Sequence, residues 1–153
     1  MSKLAKVVSQ DVKKCFGEVR ALDGVSIEIE DGAFVVLLGP SGCGKTTFMR
    51  CISGLEELTD GKIYFDDKEV SRLQPKDRNV AMVFQSYAVW PHMKVRENIA
   101  YPLKLKKFSK EEIEQKVKWA ADLLNISELL SRYPSQLSGG QRQRVAVARA
   151  IVH

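Results

Sequence analysis

The stretch Gly39-Pro40-Ser41-Gly42-Cys43-Gly44-Lys45-Thr46-Thr47 decides the fold. From Gly39 to Thr46 it satisfies G-x-x-x-x-G-K-[ST] at every constrained position. Glycines in such a loop let backbone N–H groups converge on an anion, and the helix that follows adds the partial positive charge of its N-terminus. Lys45 is placed to reach β- and γ-phosphates, the Thr46 hydroxyl to ligate Mg²⁺, and Thr47 to add an α-phosphate contact. Cys43 contributes its backbone more than its thiol. The flanks agree with this use of the loop. Phe34-Val35-Val36-Leu37-Leu38 is the continuous apolar run of a strand buried on both faces. Lys45 to Ser53 has the pattern of a helix, with Gly54 as its C-cap. A strand before and a helix after separate a phosphate loop from a glycine-rich turn with a chance lysine.

Working outward, Val25, Ile27 and Ile29 alternate with Ser26, Glu28 and Glu30, the period of a half-buried strand ending at the turn Asp31-Gly32. Asp60-Gly61 opens a further strand, Lys62 to Phe65, which stops at Asp66-Asp67-Lys68. Asn79 to Phe84 has the composition of another apolar strand, stopping at Gln85. Beyond Pro91 the pattern turns helical. Ser109-Lys110-Glu111-Glu112 is a capping box, and Ile113, Val117, Ala120, Ala121 and Leu124 follow as one apolar stripe. Ser138-Gly139-Gly140-Gln141 is a second capping box. It opens a helix running to His153, apolar around much of its circumference and therefore expected in a core. Strands, a helical insertion and a buried helix indicate an α/β class.

The chain has 153 residues, 44% hydrophobic and 28% charged, an ordinary globular mix that excludes disorder and collagen-like repeats. No apolar run approaches a membrane span of about 20 residues. The N-terminus, from Met1 to Gln10 with Lys3 and Lys6, lacks the apolar block of a signal peptide. Cys15, Cys43 and Cys51 have no CxxC spacing, so reduced thiols are expected rather than disulfides or zinc. His92 has no neighbouring histidine to suggest a metal site and is expected to be structural. A net charge of +5, spread along the chain, is a weak footprint for nucleic acid, and no nucleic-acid partner is expected.

A phosphate loop alone leaves kinases, GTPases and many ATPases open. The segment Leu137-Ser138-Gly139-Gly140-Gln141 narrows the field. Two glycines in a first helical turn each cost about 1 kcal/mol against alanine, more than a simple cap warrants. A serine followed by bare backbone N–H groups at a helix start is a second anion site.

With both motifs in view, the chain resembles the nucleotide-binding subunit of ATP-binding cassette (ABC) transporters, over essentially its whole length. Residues 39–47 match that family's Walker A loop, and 137–151 its signature motif with the following helix. The resemblance implies a P-loop NTPase core of the ABC type, with an antiparallel β subdomain, an α-helical subdomain and an incomplete core sheet. The implied domains are a β subdomain with the Walker A region (1–85), a helical subdomain (86–136), and the signature motif and helix (137–153). Gln85 matches the Q-loop glutamine, which in the family senses Mg²⁺ and the attacking water. Phe16 falls where the family places an adenine-stacking aromatic, although an ordinary core aromatic would also suit it.

In the family, ATP with Mg²⁺ lies between one subunit's Walker A loop and the signature residues of a second subunit, paired head to tail. The implied nucleotide contacts are therefore Phe16, Gly39, Pro40, Ser41, Gly42, Cys43, Gly44, Lys45, Thr46, Thr47, Ser138, Gly139, Gly140 and Gln141, with Thr46 and Gln85 for the metal. The stretch from Gln85 to Met93, followed by Arg96-Glu97-Asn98, is similar to the carbohydrate-importer branch, with polyamine importers as the alternative. There the resemblance implies contact with transmembrane permease subunits around Tyr87–Met93 and a place on the inner face of the cell membrane. Tyr87, Trp90 and Met93 would supply the apolar contact, unless Trp90 packs in the helical core.

Hydrolysis in the family also requires an Asp at the end of the Walker B strand, an adjacent catalytic Glu and a switch histidine. No Asp or Glu follows Glu128 in these residues. His153, at the end of the signature helix, is not the switch histidine. Ile63-Tyr64-Phe65-Asp66 is a strand entering a turn rather than a displaced Walker B. The expectation is weak ATP binding and negligible hydrolysis by the chain alone, with an apolar strand edge left open. Three other readings stand beside it. A small P-loop kinase or GTPase leaves Ser138–Gln141 without a role. A DNA-repair ATPase would need a coiled coil between the two motifs. A non-catalytic ABC fragment, truncated or split, would bind nucleotide or a partner without turnover.

Overall fold

The computed structural model of the protein describes residues 5–152, so the expectations placed on Lys3 and His153 lie outside it. The chain forms two compact units, one through Val80 and the other from Ala81, each with its own apolar core.

The first unit is built on an antiparallel sheet. Strand β1 (Val7–Phe16) and β2 (Val19–Ile29) form a hairpin. Strand β3 (Asp60–Phe65) pairs with the other side of β1, and the short β4 (Lys68–Glu69) completes the order β2-β1-β3-β4. In β2, Val25 and Ile27 pack toward the core while Ser26 and Glu28 are exposed, as their alternation requires. Asp66 follows β3 as a turn residue at φ 51. Helix α1 (Lys45–Ser53) lays Phe48 and Cys51 against Val12, Leu22 and Ile63. Burial pushes the Cys51 thiol pKa up, as expected for an inert core cysteine. Gly54 at φ 78 ends the helix, with its N–H returning to the last-turn carbonyls.

Two strand expectations fail. Phe34–Leu38 is irregular and belongs to no strand among the described residues, and Phe34 and Leu38 are 93% and 86% exposed. Val80 to Phe84 is likewise irregular. An apolar run becomes a central strand only when strands flank it, because its own N–H and C=O groups have no local partners. Neither run is part of the sheet among the described residues.

The second unit contains three longer helices. Helices α2 (Val95–Leu105), α3 (Lys110–Leu123) and α4 (Gly139–Ile151) enclose a core of Val95, Ile99, Leu103, Val117, Ala120 and Val145. The α3 stripe packs as its spacing predicts, with Val117, Ala120 and Ala121 buried. Helix α4 departs from expectation on one point. Val145, Ala146 and Ala148 are buried, yet Ile151 is exposed, so only part of its circumference lies in the core. Among the described residues, no helix is long and apolar enough to cross a membrane.

Candidate functional site

The 39–47 loop leaves the N-terminus of α1 open. Gly44 is its N-cap at φ 92, no side chain caps the helix, and no acidic residue lies in its first turn. The N–H groups of that turn have no acceptor within the helix. A Cβ at Gly44 would lie 2.5 Å from the Ala21 carbonyl oxygen, so the loop's approach to β2 excludes any side chain there. The Lys45 ammonium folds back into the loop, donating to Gly39 O at 2.8 Å and Pro40 O at 2.7 Å. It also lies 3.3 Å from Cys43 Sγ. An uncapped helix start beside a lysine held by loop carbonyls is a donor set suited to a polyphosphate. The Thr46 side chain is exposed at the same helix start.

Phe16 ends β1 and is 48% exposed, which rules out the core-aromatic alternative. The Lys14 ammonium lies 4.8 Å from its ring centroid. Phe16 and residues 39–47 belong to the first unit, whereas Gln85 and Ser138–Gln141 belong to the second.

At the start of α4, Ser138 Oγ accepts from the Gln141 N–H, and Gln141 Oε1 accepts from the Ser138 N–H. The capping box therefore forms as its sequence predicts. Its glycines are unexplained by local packing. A Cβ at Gly140 would meet nothing within 4 Å, and one at Gly139 only the Tyr87 hydroxyl, at 3.9 Å. Neither glycine has a left-handed backbone. Ser138 and Gly140 are exposed.

Gln85 is exposed in irregular chain. After it, Tyr87 and Ala88 adopt left-handed φ of 63 and 47. Trp90 is half-buried, neither free nor in the core, and its ring is tilted against Tyr101 at a centroid distance of 4.5 Å. Asn98, fully buried in α2, fixes this segment. Its Oδ1 accepts from the Trp90 N–H, and its Nδ2 donates to the carbonyls of Trp90, Met93 and Lys94. His92 is exposed, and no group of three or more His, Cys, Asp or Glu side chains suited to a metal occurs among the described residues.

The family model described as "ABC transporter" matches residues 22–153. The chain belongs to the ABC transporter family. It is 57% identical to the trehalose/maltose import ATP-binding protein MalK of Thermococcus litoralis, over 97% of this chain and 42% of that protein. It is 52% identical to the sn-glycerol-3-phosphate import ATP-binding protein UgpC of Cereibacter sphaeroides, over 97% of this chain and 43% of that protein. The chain thus spans about two fifths of the curated relatives it matches. Among solved structures it resembles the ATP-binding cassette MJ0796 in a dimeric post-hydrolysis state bound to ADP and Pi. There the TM-score is 0.86 at 33% identity, covering 95% of this chain and 69% of that one. The fold is accordingly that of an ABC ATPase with its sheet not closed.

Within this ABC-family chain, sequence reasoning missed three polar residues that organise the two units. Arg78 is buried at the C-terminal end of α1, and donates to the carbonyls of Cys51, Ile52, Ser71 and Leu73. Burial lowers its pKa from the ordinary value, and no carboxylate opposes this among the described residues. Asn98 and Arg149 hold the 87–94 segment. Arg149 carried a signal: it is the one charged residue between Val145 and Val152.

Proposed function

We propose that this chain supplies the nucleotide-binding elements of an ABC import ATPase, with ATP held at residues 39–47. The observation that carries the reading is the open N-terminus of α1 with the Lys45 ammonium turned into the same loop. Phosphate oxygens would take over the first-turn N–H groups, and Lys45 would exchange two carbonyls for the β- and γ-phosphates. Gly39, Pro40, Ser41, Gly42 and Cys43 would line the turn, Thr46 and Thr47 would contact phosphate, and Phe16 would stack on adenine. Mg²⁺, when bound, neutralises phosphate charge; Thr46 and Gln85 are the uncharged side chains assigned to it. Ser138, Gly139, Gly140 and Gln141 would face the nucleotide held by a second subunit, which explains glycines that no local contact requires.

The similarity to sugar and glycerol-phosphate import proteins supports a sugar or related polyol cargo. The Tyr87–Met93 segment would face permease subunits at the inner side of the membrane. Residues 1–85, 86–136 and 137–153 would act as the β, helical and signature parts of this assembly.

Titration of the chain with a fluorescent ATP analogue in Mg²⁺ tests the reading. Saturable binding that Lys45→Ala weakens by about tenfold or more is expected, the equivalent of about 1.4 kcal/mol. Binding indifferent to Lys45 would contradict the site.

A further inference from the structure

Arg149 lies in an otherwise apolar part of α4, yet its guanidinium is bonded through both terminal nitrogens. Nη1 donates to Ala88 O at 2.8 Å and Nη2 to Tyr87 O at 3.3 Å, while the guanidinium carbon sits 4.4 Å from the Trp90 ring centroid. One planar fork thus grips two successive carbonyls and stacks on the next aromatic, a combination that lysine cannot reproduce. The two residues it grips have left-handed backbones at φ 63 and 47, although neither is glycine. Such conformations persist only where their surroundings hold them. The same segment reaches the other end of the helix, where the Tyr87 hydroxyl lies 3.9 Å from the point a Gly139 Cβ would occupy.

We propose that Arg149 is a positioning residue that fastens segment 87–90 along α4, so that this segment and the Ser138-Gly139 end of the helix move as one body. Its use rests on the proposed function, in which 87–93 faces the permease and Ser138-Gly139 faces nucleotide. Arg149 then links the two surfaces without touching either ligand. Two alternatives to a link are excluded by its geometry. The side chain does not merely fill the core, because both terminal nitrogens are spent on backbone carbonyls. Nor is it a surface ion pair, because its two bonds go to backbone carbonyls and not to a carboxylate.

The test uses the full chain carrying Trp119→Phe, which leaves Trp90 as the sole tryptophan of the two. Acrylamide quenching reports Trp90 exposure, and hydrogen exchange reports the amides of residues 86–90. Arg149→Met is expected to raise the quenching constant at least about twofold and to speed exchange in that segment, as a local opening does. Arg149→Lys is expected to recover less than half of the change. Val145→Ala removes buried volume from the same helix and serves as the control for simple destabilisation; it is expected to leave both readings unchanged. Quenching in Arg149→Met equal to that of its parent, or an equal rise in Val145→Ala, would overturn the proposal. Should Arg149→Met fail to fold, Arg149→Lys carries the same comparison, with a rise at Trp90 expected and none contradicting it. Nucleotide plays no part in these readings, so a failed ATP titration would count against the proposed function alone.

Discussion

A Cβ at Gly44 would sit 2.5 Å from the Ala21 carbonyl oxygen on a backbone at φ 92, whereas one at Gly140 would meet nothing within 4 Å. The same residue type therefore answers to different demands. At Gly44 the demand is internal: Gly44→Ala is expected to destabilise the first unit by about 1–3 kcal/mol through strain and to abolish ATP-analogue binding. At Gly140 no local contact sets a demand, and the one proposed is external. Gly140→Ala is expected to stabilise the chain by about 1 kcal/mol, read as a raised Tm, because alanine favours the first helical turn. It should leave ATP binding at 39–47 unchanged while obstructing a partner's nucleotide. A lowered Tm for Gly140→Ala would contradict this. Both glycines stood out in the sequence, but only the structure shows that Gly44 meets a close backbone approach and Gly140 meets none. Arg78 was not legible at all, since its four acceptors are backbone carbonyls spread from residue 51 to residue 73.

Helices whose ends are written in local chemistry matched their sequence. Helix α1 runs from Lys45 to the Gly54 cap, α3 from the Ser109 cap, and α4 from the Ser138 cap, as spacing predicted. Elements defined by distant partners did not. Strand β1 has Asp11 at φ 48 and slips register between Ser9 and Val12, which erases the alternation a reader would look for. Helix α2 contains Pro102, which forfeits a bond to the Asn98 carbonyl and looks like a terminator in sequence. Runs 34–38 and 79–84 are apolar enough for strands but belong to no strand of the sheet among the described residues.

Two predictions belong to this scale. Arg78→Met should lower stability by about 3 kcal/mol by leaving carbonyls at the end of α1 without a donor, measured by urea unfolding. The Glu112 carboxylate, bonded to the Ser109 N–H, is held below the usual carboxylate range. Its contribution is therefore present above that range and lost as pH falls through the lowered pKa. Fraying of the α3 start on acidification, seen as faster amide exchange and absent in Glu112→Gln, is the expected result.

At the scale of the whole molecule, exposed apolar chain is expected to govern self-association of the purified protein. Phe34, Val36 and Leu38 present an exposed apolar edge in the first unit. Such edges associate with one another. Light scattering should show self-association that grows with concentration, and Phe34→Ser with Leu38→Ser should reduce it while leaving Lys45-dependent nucleotide binding in place. Equal scattering from both forms would place the sticky surface elsewhere.

The central claim is that polyphosphate is held by the backbone N–H groups at the start of α1. Hydrogen exchange of the dilute chain, with and without Mg²⁺-ATP, tests it most directly. Slowed exchange is expected at the amides of residues 42–47 that disappears in Lys45→Ala, with none at 138–141 while the chain is monomeric. Unchanged exchange at 42–47 in saturating ATP would contradict it.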